Sequence, residues 1–457
     1  MSARRSLRLQ DELFSHYCLC VGVLFAVLTL APKAVGQNAE PLQVTSSARE
    51  HAASQSVTPL DDLLTEAERN NPQIAAARQG WQAAKQVPSQ VSTLPDPQFQ
   101  VQQFNVGSPR PFAGYTNSNF AYIGFGVSQD LPYPGKLKLK GEIATQDAAV
   151  AQQQYESVRR AVLAGVKSAY FQLASLSKTL GILGSDGQLL QQVERAADAR
   201  YRSGMGNQQD VLQAQLEQTK LLREITMHHL EVAKVQAQIK QLLNRSQSSP
   251  DIEPSELPES PLPYSFEDLL TATKAQNPQI SASQEIIQRQ KLAVDLAHKD
   301  FYPDFSIQYM WQRTDPTQYR AYYMLTFGVR VPIYRGRKQR PELAQAEADL
   351  SRARSELDAQ SQQVAVELRT EYDTAQETAS LLTIYRQGLL PQARAEFEAG
   401  MAAYQSNRQE FQALLASYLD VLHLDEQYWQ TLADRETALA GIEELTGLPL
   451  EDGGAQK

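Results

Sequence analysis

Asn71-Pro72-Gln73-Ile74 returns 206 residues later as Asn277-Pro278-Gln279-Ile280. Each copy follows a Leu-Leu-Thr, at Leu63-Leu64-Thr65 and at Leu269-Leu270-Thr271. Later landmarks keep nearly that spacing: Pro95-Asp96 with Pro303-Asp304, Pro132 with Pro332, Gly135 with Gly336, Tyr170 with Tyr372, and Tyr201 with Tyr404. Solenoid repeats have periods of roughly 20–50 residues, so this longer unit is a complete structural half used twice. Two such halves are built to surround something pseudo-symmetrically.

The halves span residues 58–245 and 264–448, each in one order: short helix, medium helix, two strands, very long helix, long return helix. Strands are predicted at 97–107 and 119–131, then at 303–313 and 319–331; the long helices at 138–203 and 207–244, then at 339–405 and 408–446. Residues 246–263 hold Pro250, Pro254, Pro258, Pro261 and Pro263. Those prolines remove backbone donors and forbid a helix there, so the stretch reads as a linker. Residues 449–457 read as a C-terminal tail.

The long helices carry a coiled-coil seam. Tyr155, Val158, Val162, Val166, Ala169, Leu173, Leu176, Leu180 and Leu183 recur in steps of three or four, the spacing that faces a partner helix. Val364, Leu368, Tyr372, Ala375, Ala379 and Leu382 repeat it in the second half. A helix from residue 140 to 203 would reach about 95 Å, longer than any compact domain needs. Gly181, Gly184 and Gly187 weaken the first rod by up to about 1 kcal/mol each, and Pro391 is expected to kink or interrupt the second.

The strands alternate. Phe305, Ile307, Tyr309 and Trp311 interleave with Ser306, Gln308, Met310 and Gln312; Tyr323, Leu325, Phe327 and Val329 interleave with Tyr322, Met324, Thr326 and Gly328. Ile123, Phe125 and Val127 do the same against Tyr122, Gly124 and Gly126, whereas the strand near Phe99 and Val101 is broken in phase by Phe104. A soluble sheet with one wet face would show this pattern, and so would strands with one face toward lipid. Four strands cannot close a membrane barrel, because the smallest have eight, and lipid tolerates no open edge. A membrane reading therefore requires a barrel shared between subunits.

The N-terminus reads as an export signal, residues 1–36: Arg4, Arg5 and Arg8, an apolar run from Tyr17 to Ala31, then the small residues Ala34-Val35-Gly36. Both cysteines, Cys18 and Cys20, lie inside it, which leaves no thiol for a disulfide, a nucleophile or a metal in the exported chain. Residues 37–57 read as a flexible polar leader. The net charge of −9 disfavours nucleic acid, which wants a basic face.

Taken in order and in duplicate, these motifs resemble the TolC family of outer-membrane efflux proteins from about residue 60 to 448. The residues that carry the resemblance are the paired Asn-Pro-Gln-Ile segments, Gln129-Asp130-Leu131-Pro132-Tyr133-Pro134-Gly135-Lys136, the turn Tyr201-Arg202-Ser203-Gly204-Met205-Gly206 before Asp210-Val211-Leu212, and Leu389-Leu390-Pro391-Gln392-Ala393 before Tyr404. The resemblance implies a mainly α protein with a small β membrane part. Its long antiparallel helices would form a trimeric α-barrel, and four strands per subunit would contribute to a twelve-stranded transmembrane β-barrel. It implies the outer-membrane component of a tripartite efflux or type I secretion system: a gated, passive exit duct extending into the periplasm. This would be a homotrimer fed by a periplasmic membrane-fusion adaptor and an inner-membrane pump, with RND type the leading choice and the pump class left open.

Carried over by position, the adaptor-docking tips are Arg202, Ser203, Gly204 and Met205, then Gln405, Ser406, Asn407 and Arg408. Asn407 stands where the family usually has Gly, and Asn is the next most tolerant of a left-handed backbone. Asp210 matches an acidic aperture position, with Ala413 in its place in the second repeat; capping of the return helix or a neighbouring ion pair is the alternative. The lipid-facing residues would be Phe305, Ile307, Tyr309, Trp311, Tyr323, Leu325, Phe327 and Val329. The cargo stays open between heavy metals and drugs.

No enzyme is expected. His228 and His229 are adjacent on a helix and point about 100° apart, and no phosphate loop, HExxH or Ser-His-Asp set stands in context, so neither metal nor cofactor is expected. The competing reading is a pore-free coiled-coil scaffold. The strands separate the two, since a scaffold has no use for an outward Leu325, Phe327 and Val329. A stand-alone porin would devote most of its chain to strands.

Overall fold

A computed structural model describes residues 57–104, 121–313 and 321–450. The predicted export signal, residues 37–56 of the leader, the ends of the predicted strands at 105–107, 119–120 and 319–320, and residues 451–457 of the tail lie outside the described residues.

The first repeat contains α1 (Leu60–Asn70), α2 (Pro72–Ala84), α3 (Val87–Ser92), β1 (Gln98–Phe104), β2 (Tyr122–Leu131), α4 (Lys136–Arg202) and α5 (Gln208–Leu242). The second contains α6 (Phe266–Gln276), α7 (Pro278–Lys299), β3 (Asp304–Arg313), β4 (Tyr322–Arg330), α8 (Gln339–Ile384), a π-helical turn (Tyr385–Leu389), α9 (Leu390–Gln405) and α10 (Phe411–Thr446). The protein is mainly helical with a single four-stranded antiparallel sheet among the described residues.

The duplicated Asn-Pro-Gln-Ile has a local cause. Asn71 Oδ1 accepts from the backbone N–H groups of Gln73 (2.8 Å) and Ile74 (3.2 Å), capping α2 while Pro72 takes the first helical position. Asn277 does the same for Gln279 (2.9 Å) and Ile280 (3.2 Å) at the start of α7. An Asn cap satisfies orphan donors, and Pro at N1 gives up none that the helix needed. Each Asn also donates from Nδ2 to the far end of its own return helix, Asn71 to the Leu242 carbonyl (2.8 Å) and Asn277 to that of Leu445 (3.1 Å). One side chain thus starts a helix and ties it to the end of another.

α4 is one unbroken helix of 67 residues, about 100 Å long. It runs through Gly181, Gly184 and Gly187, whose cost is spread over a rod held by α5, α7 and α10 along its length. Its core includes Val166, Tyr170 and Leu173 packed with Ile239 of α5 and Leu432 of α10. A second cluster joins Leu190 and Val193 to Phe397, Tyr404, Leu414 and Tyr418 toward the turns.

The second rod is not one helix over 339–405. Pro391 cannot donate to the carbonyl four residues back, and its ring would strike that carbonyl. The chain answers by widening one turn: Tyr385–Leu389 is π-helical, and the Leu390 N–H reaches the Tyr385 carbonyl, five back. The helix then resumes at once as α9. α10 starts at Phe411 rather than 408, after a turn that takes in Arg408, Gln409 and Glu410. In the first repeat the medium helix is split, α3 restarting at Val87-Pro88.

The Pro-rich stretch between the repeats is pinned along its length. Gln236 bonds both the N–H (3.0 Å) and carbonyl (2.7 Å) of Ile252, Tyr170 Oη accepts from the N–H of Ser255 (2.8 Å), and the buried Glu436 accepts from that of Ser260 (3.0 Å). Ile252 and Leu257 are buried beneath it. Extended backbone that cannot pair with itself has found side-chain partners on α4, α5 and α10.

Candidate functional site

Two places in the fold are candidates: the sheet, and the paired turns at the far ends of the long helices. The strand order is β1-β2-β3-β4, so β1 and β4 are edges without partners among the described residues. Directly opposite residues share a face. Phe305 lies opposite Val329, Ile307 opposite Phe327, Tyr309 opposite Leu325 and Trp311 opposite Tyr323. Val127 and Phe125 of β2 continue the row beside Tyr309 and Trp311, and Phe99 and Val101 of β1 complete it. The eight residues singled out on β3 and β4 therefore lie on one face, joined by four more apolar side chains. That face is bare: Phe99 is 83% and Phe327 71% exposed.

The other face is polar or small. Gln100 and Gln102 lie opposite Gly126 and Gly124, and Gln308 opposite Thr326. Gly126 is closely packed: a Cβ there would come within 3.1 Å of Gln100 Cγ and 3.2 Å of Met310 Cε, so both side chains would have to shift. Phe104 falls on this face, opposite Tyr122 and stacked on its ring at 5.7 Å. Its break in phase is thus a genuine change of side.

Where the sheet meets the helices, Lys136 at the start of α4 is buried between Asp300 (3.0 Å) and Asp304 (2.9 Å). Asp304 also accepts the Tyr133 N–H at 2.8 Å. Burial works against the Lys136 charge, but the hydrogen bonds and charges of the two carboxylates outweigh it and raise the pKa. Tyr133 stacks on Tyr302 at 4.6 Å beside this pair. The contact joins the first repeat to the second, and sequence reading missed it because its members lie far apart in the chain.

At the opposite end, α4 ends at Arg202, Ser203 caps it and Gly204 follows with φ +73°; α9 ends at Gln405, Ser406 caps it and Asn407 follows with φ +63°. Both turns close alike: the N–H of Met205 reaches the Arg200 carbonyl (2.9 Å), and that of Arg408 reaches the Ala403 carbonyl (2.8 Å). A left-handed residue just past a helix end satisfies its last carbonyls in this way. Arg202 pairs with Asp198 (2.8 Å), Ser203 and Ser406 bond back to the carbonyls of Arg200 (2.9 Å) and Ala402 (2.9 Å), and Gln405 ends α9. Met205 is 62% exposed.

Arg200 links the two turns. Its guanidinium donates to the Tyr404 carbonyl (2.7 Å), to the Met205 carbonyl (3.0 Å) and to Asn407 Oδ1, and lies 4.3 Å over the Tyr404 ring. The Tyr404 hydroxyl donates to Asp210 (3.3 Å). Burial, with the Asp210 charge adding to it, pushes the Tyr404 pKa up to about 12. Arg200 and Tyr404 carried no sign of this role in the sequence beyond the pairing of Tyr404 with Tyr201. The two tyrosines have diverged, Tyr404 being buried and Tyr201 exposed.

Between sheet and turns, Asp186 of α4 faces Asp425 and Glu426 of α10 and Arg394 of α9, with Arg394 bonded to Asp425 at 2.8 Å. Burial first, then the Asp425 charge, raises the Asp186 pKa to about 6. His228 lies near Glu231 (3.5 Å) and Glu426 (3.7 Å). Among the described residues no group of three or more His, Cys, Asp or Glu could hold a metal ion, and no helix is long and apolar enough to cross a membrane.

The sequence matches the family described as outer membrane efflux protein over residues 63–245 and 269–447. Among solved structures, the outer-membrane channel OprN is similar at a TM-score of 0.75 and 16% identity, over 86% of this chain and 90% of that one. CusC is similar at 0.73 and 16%, over 85% and 91%, and VceC from Vibrio cholerae at 0.72 and 16%, over 85% and 96%. No curated protein is a significant match to the sequence.

The chain belongs to the outer membrane efflux protein family. It is the outer-membrane channel component of an efflux system, extending into the periplasm, and the channels of this family are conduits that act with adaptor and pump partners.

Proposed function

We propose that three copies of this chain form a gated, passive duct whose sheets join into a twelve-stranded barrel. The observation that carries this is the sheet itself, bare and apolar on one face and without a partner strand at either edge among the described residues. Phe305, Ile307, Tyr309, Trp311, Tyr323, Leu325, Phe327 and Val329 face lipid, and the glutamine and glycine face lines the lumen. Lipid leaves no alternative for an open edge but closure, and one copy supplies too few strands.

The turns at Arg202–Met205 and Gln405–Arg408 are the docking tips for a periplasmic membrane-fusion adaptor, which passes cargo from an inner-membrane pump of RND type. Asp210 lies at the resting aperture, held by Tyr404. The exposed Met205 and the two surface turns support a docking role. The apolar sheet face speaks against a pore-free scaffold. Reconstitution into planar bilayers tests the duct: discrete, low conductance steps are expected at rest, and a protein that inserts in no bilayer and passes no current would overturn it.

A further inference from the structure

The chain closes one seam between its repeats and leaves the matching seam open. β2 of the first repeat pairs with β3 of the second, while the outer edges of β1 and β4 have no partner strand among the described residues. The repeat relates β1 to β3 by a shift of 208 residues, as Pro95 to Pro303, and β2 to β4 by 200, as Pro132 to Pro332. The two hairpins obey these shifts: Gln98 opposite Ser128 becomes Ser306 opposite Gly328. Applied to the closed seam, the same shifts carry Val127 opposite Tyr309 onto Phe327 opposite Val101, and Gly126 opposite Met310 onto Thr326 opposite Gln102. The derived pairs keep their faces, apolar with apolar and polar with polar. A slip of one residue would break both, because each step along a strand changes sides.

The groups that lock the closed seam have counterparts that stand exposed. Arg337 follows Gly336 as Lys136 follows Gly135, and Asp96 follows Pro95 as Asp304 follows Pro303. Lys136 is buried in its ion pairs, whereas Arg337 and Asp96 are both exposed, with no ion-pair partner among the described residues. Tyr133 is stacked on Tyr302, whereas Ile333 and Tyr334, at the place of Tyr133, are 73% and 70% exposed. The helices show the same contrast. Leu415 of α10 is buried, while Leu212, its counterpart on α5, is 56% exposed. Half of the molecule shows what covers the other half.

We infer that a second copy of this chain closes its β1 edge on β4 in this register, Phe327 opposite the partner's Val101 and Thr326 opposite the partner's Gln102, with Arg337 paired to the partner's Asp96. The inference rests on the shared barrel proposed above and adds its register and its ion pair. Each copy offers both edges, so the contact is head-to-tail and closes as a ring.

Cys18 and Cys20 are the chain's only cysteines, and both lie in the predicted export signal, so introduced thiols report alone. The full chain would carry Thr326→Cys with Gln102→Cys, or Phe327→Cys with Val101→Cys, and be oxidised in outer-membrane vesicles. Opposite residues alternate between closely and widely spaced pairs, so one of two consecutive pairs suits a disulfide. Crosslinked dimers and trimers are expected for at least one, and at least about tenfold less crosslinking for Thr326→Cys with Gln100→Cys. Crosslinking chiefly off register, or none in protein that still elutes as a trimer, would overturn the inference. A monomer in detergent would instead overturn the shared barrel.

Charge reversal tests the ion pair without cysteines. Asp96→Arg and Arg337→Asp should each lower the trimer's dissociation temperature in mild detergent by several degrees, and the double reversal should restore most of it. Singles without effect, or a double no better than the worse single, would remove the ion pair from the account.

Discussion

The Tyr404 hydroxyl donates to Asp210 across 3.3 Å, binding the end of α9 in the second repeat to the return helix of the first. Arg200 lies over the same ring and donates to the Tyr404 carbonyl, so one tyrosine is held from both sides by the other repeat. If the tips rest closed, this is a clasp that must loosen for them to spread.

Tyr404→Phe removes one hydrogen bond to a carboxylate, worth about 1–2 kcal/mol in this partly exposed setting. Arg200→Ala removes the bonds to both turns and the ring contact together. Resting single-channel conductance should rise in Tyr404→Phe and rise further in Arg200→Ala. Unchanged conductance in both would take the clasp out of the gate. Since the Tyr404 pKa stands at about 12, its titration should leave this behaviour unaltered between pH 6 and pH 8.

Asp186 carries an opposite kind of cost. Its Oδ2 is buried without a hydrogen-bond partner among the described residues, and burial has raised its pKa from 3.8 to about 6. A carboxylate whose folded pKa lies above its unfolded value binds its proton more tightly in the fold. Its ionisation therefore destabilises the fold progressively as pH rises from about 4 to about 6 and stays a fixed cost above that. Asp186→Asn should stabilise the protein by about 2 kcal/mol at pH 7.5, after discounting partial exposure, and by almost nothing near pH 4. Thermal melts at the two pH values check this, and an equal effect at both would refute the burial argument.

Phe327 is 71% exposed on the apolar face and Thr326 lies on the other. Phe327→Arg near the bilayer midplane costs about 2–4 kcal/mol and should cut the yield of assembled protein in outer-membrane fractions. Thr326→Arg should be tolerated better. Equal yields would reverse or abolish the assigned lipid side.

Gly204 sits at φ +73° with open space where a Cβ would go, so a substitution there brings backbone strain without a clash. Gly204→Val should distort the turn at a cost of about 1–2 kcal/mol, reducing export in a cell-based assay while leaving assembly near normal. Equal loss of both would argue against docking at this tip.

What the sequence disclosed follows the range of each interaction. The Asn71 and Asn277 caps act within three residues, and strand alternation is set by neighbours, so both left a visible pattern. Arg200 with Tyr404 and Lys136 with Asp304 lie 204 and 168 residues apart. Nothing local in the sequence marks those side chains as partners. Pro391 announced a disturbance but not its form, because whether a rod bends or widens into a π-turn depends on what packs beside it. The repeat itself was the most informative signal, since it relates contacts that are made to contacts that are missing.

The mass of the detergent-solubilised protein, measured by light scattering with the detergent contribution subtracted, bears most directly on the shared barrel. Three times the mass of one exported chain is expected. A monodisperse single chain, stable in detergent with its sheet intact, would contradict it.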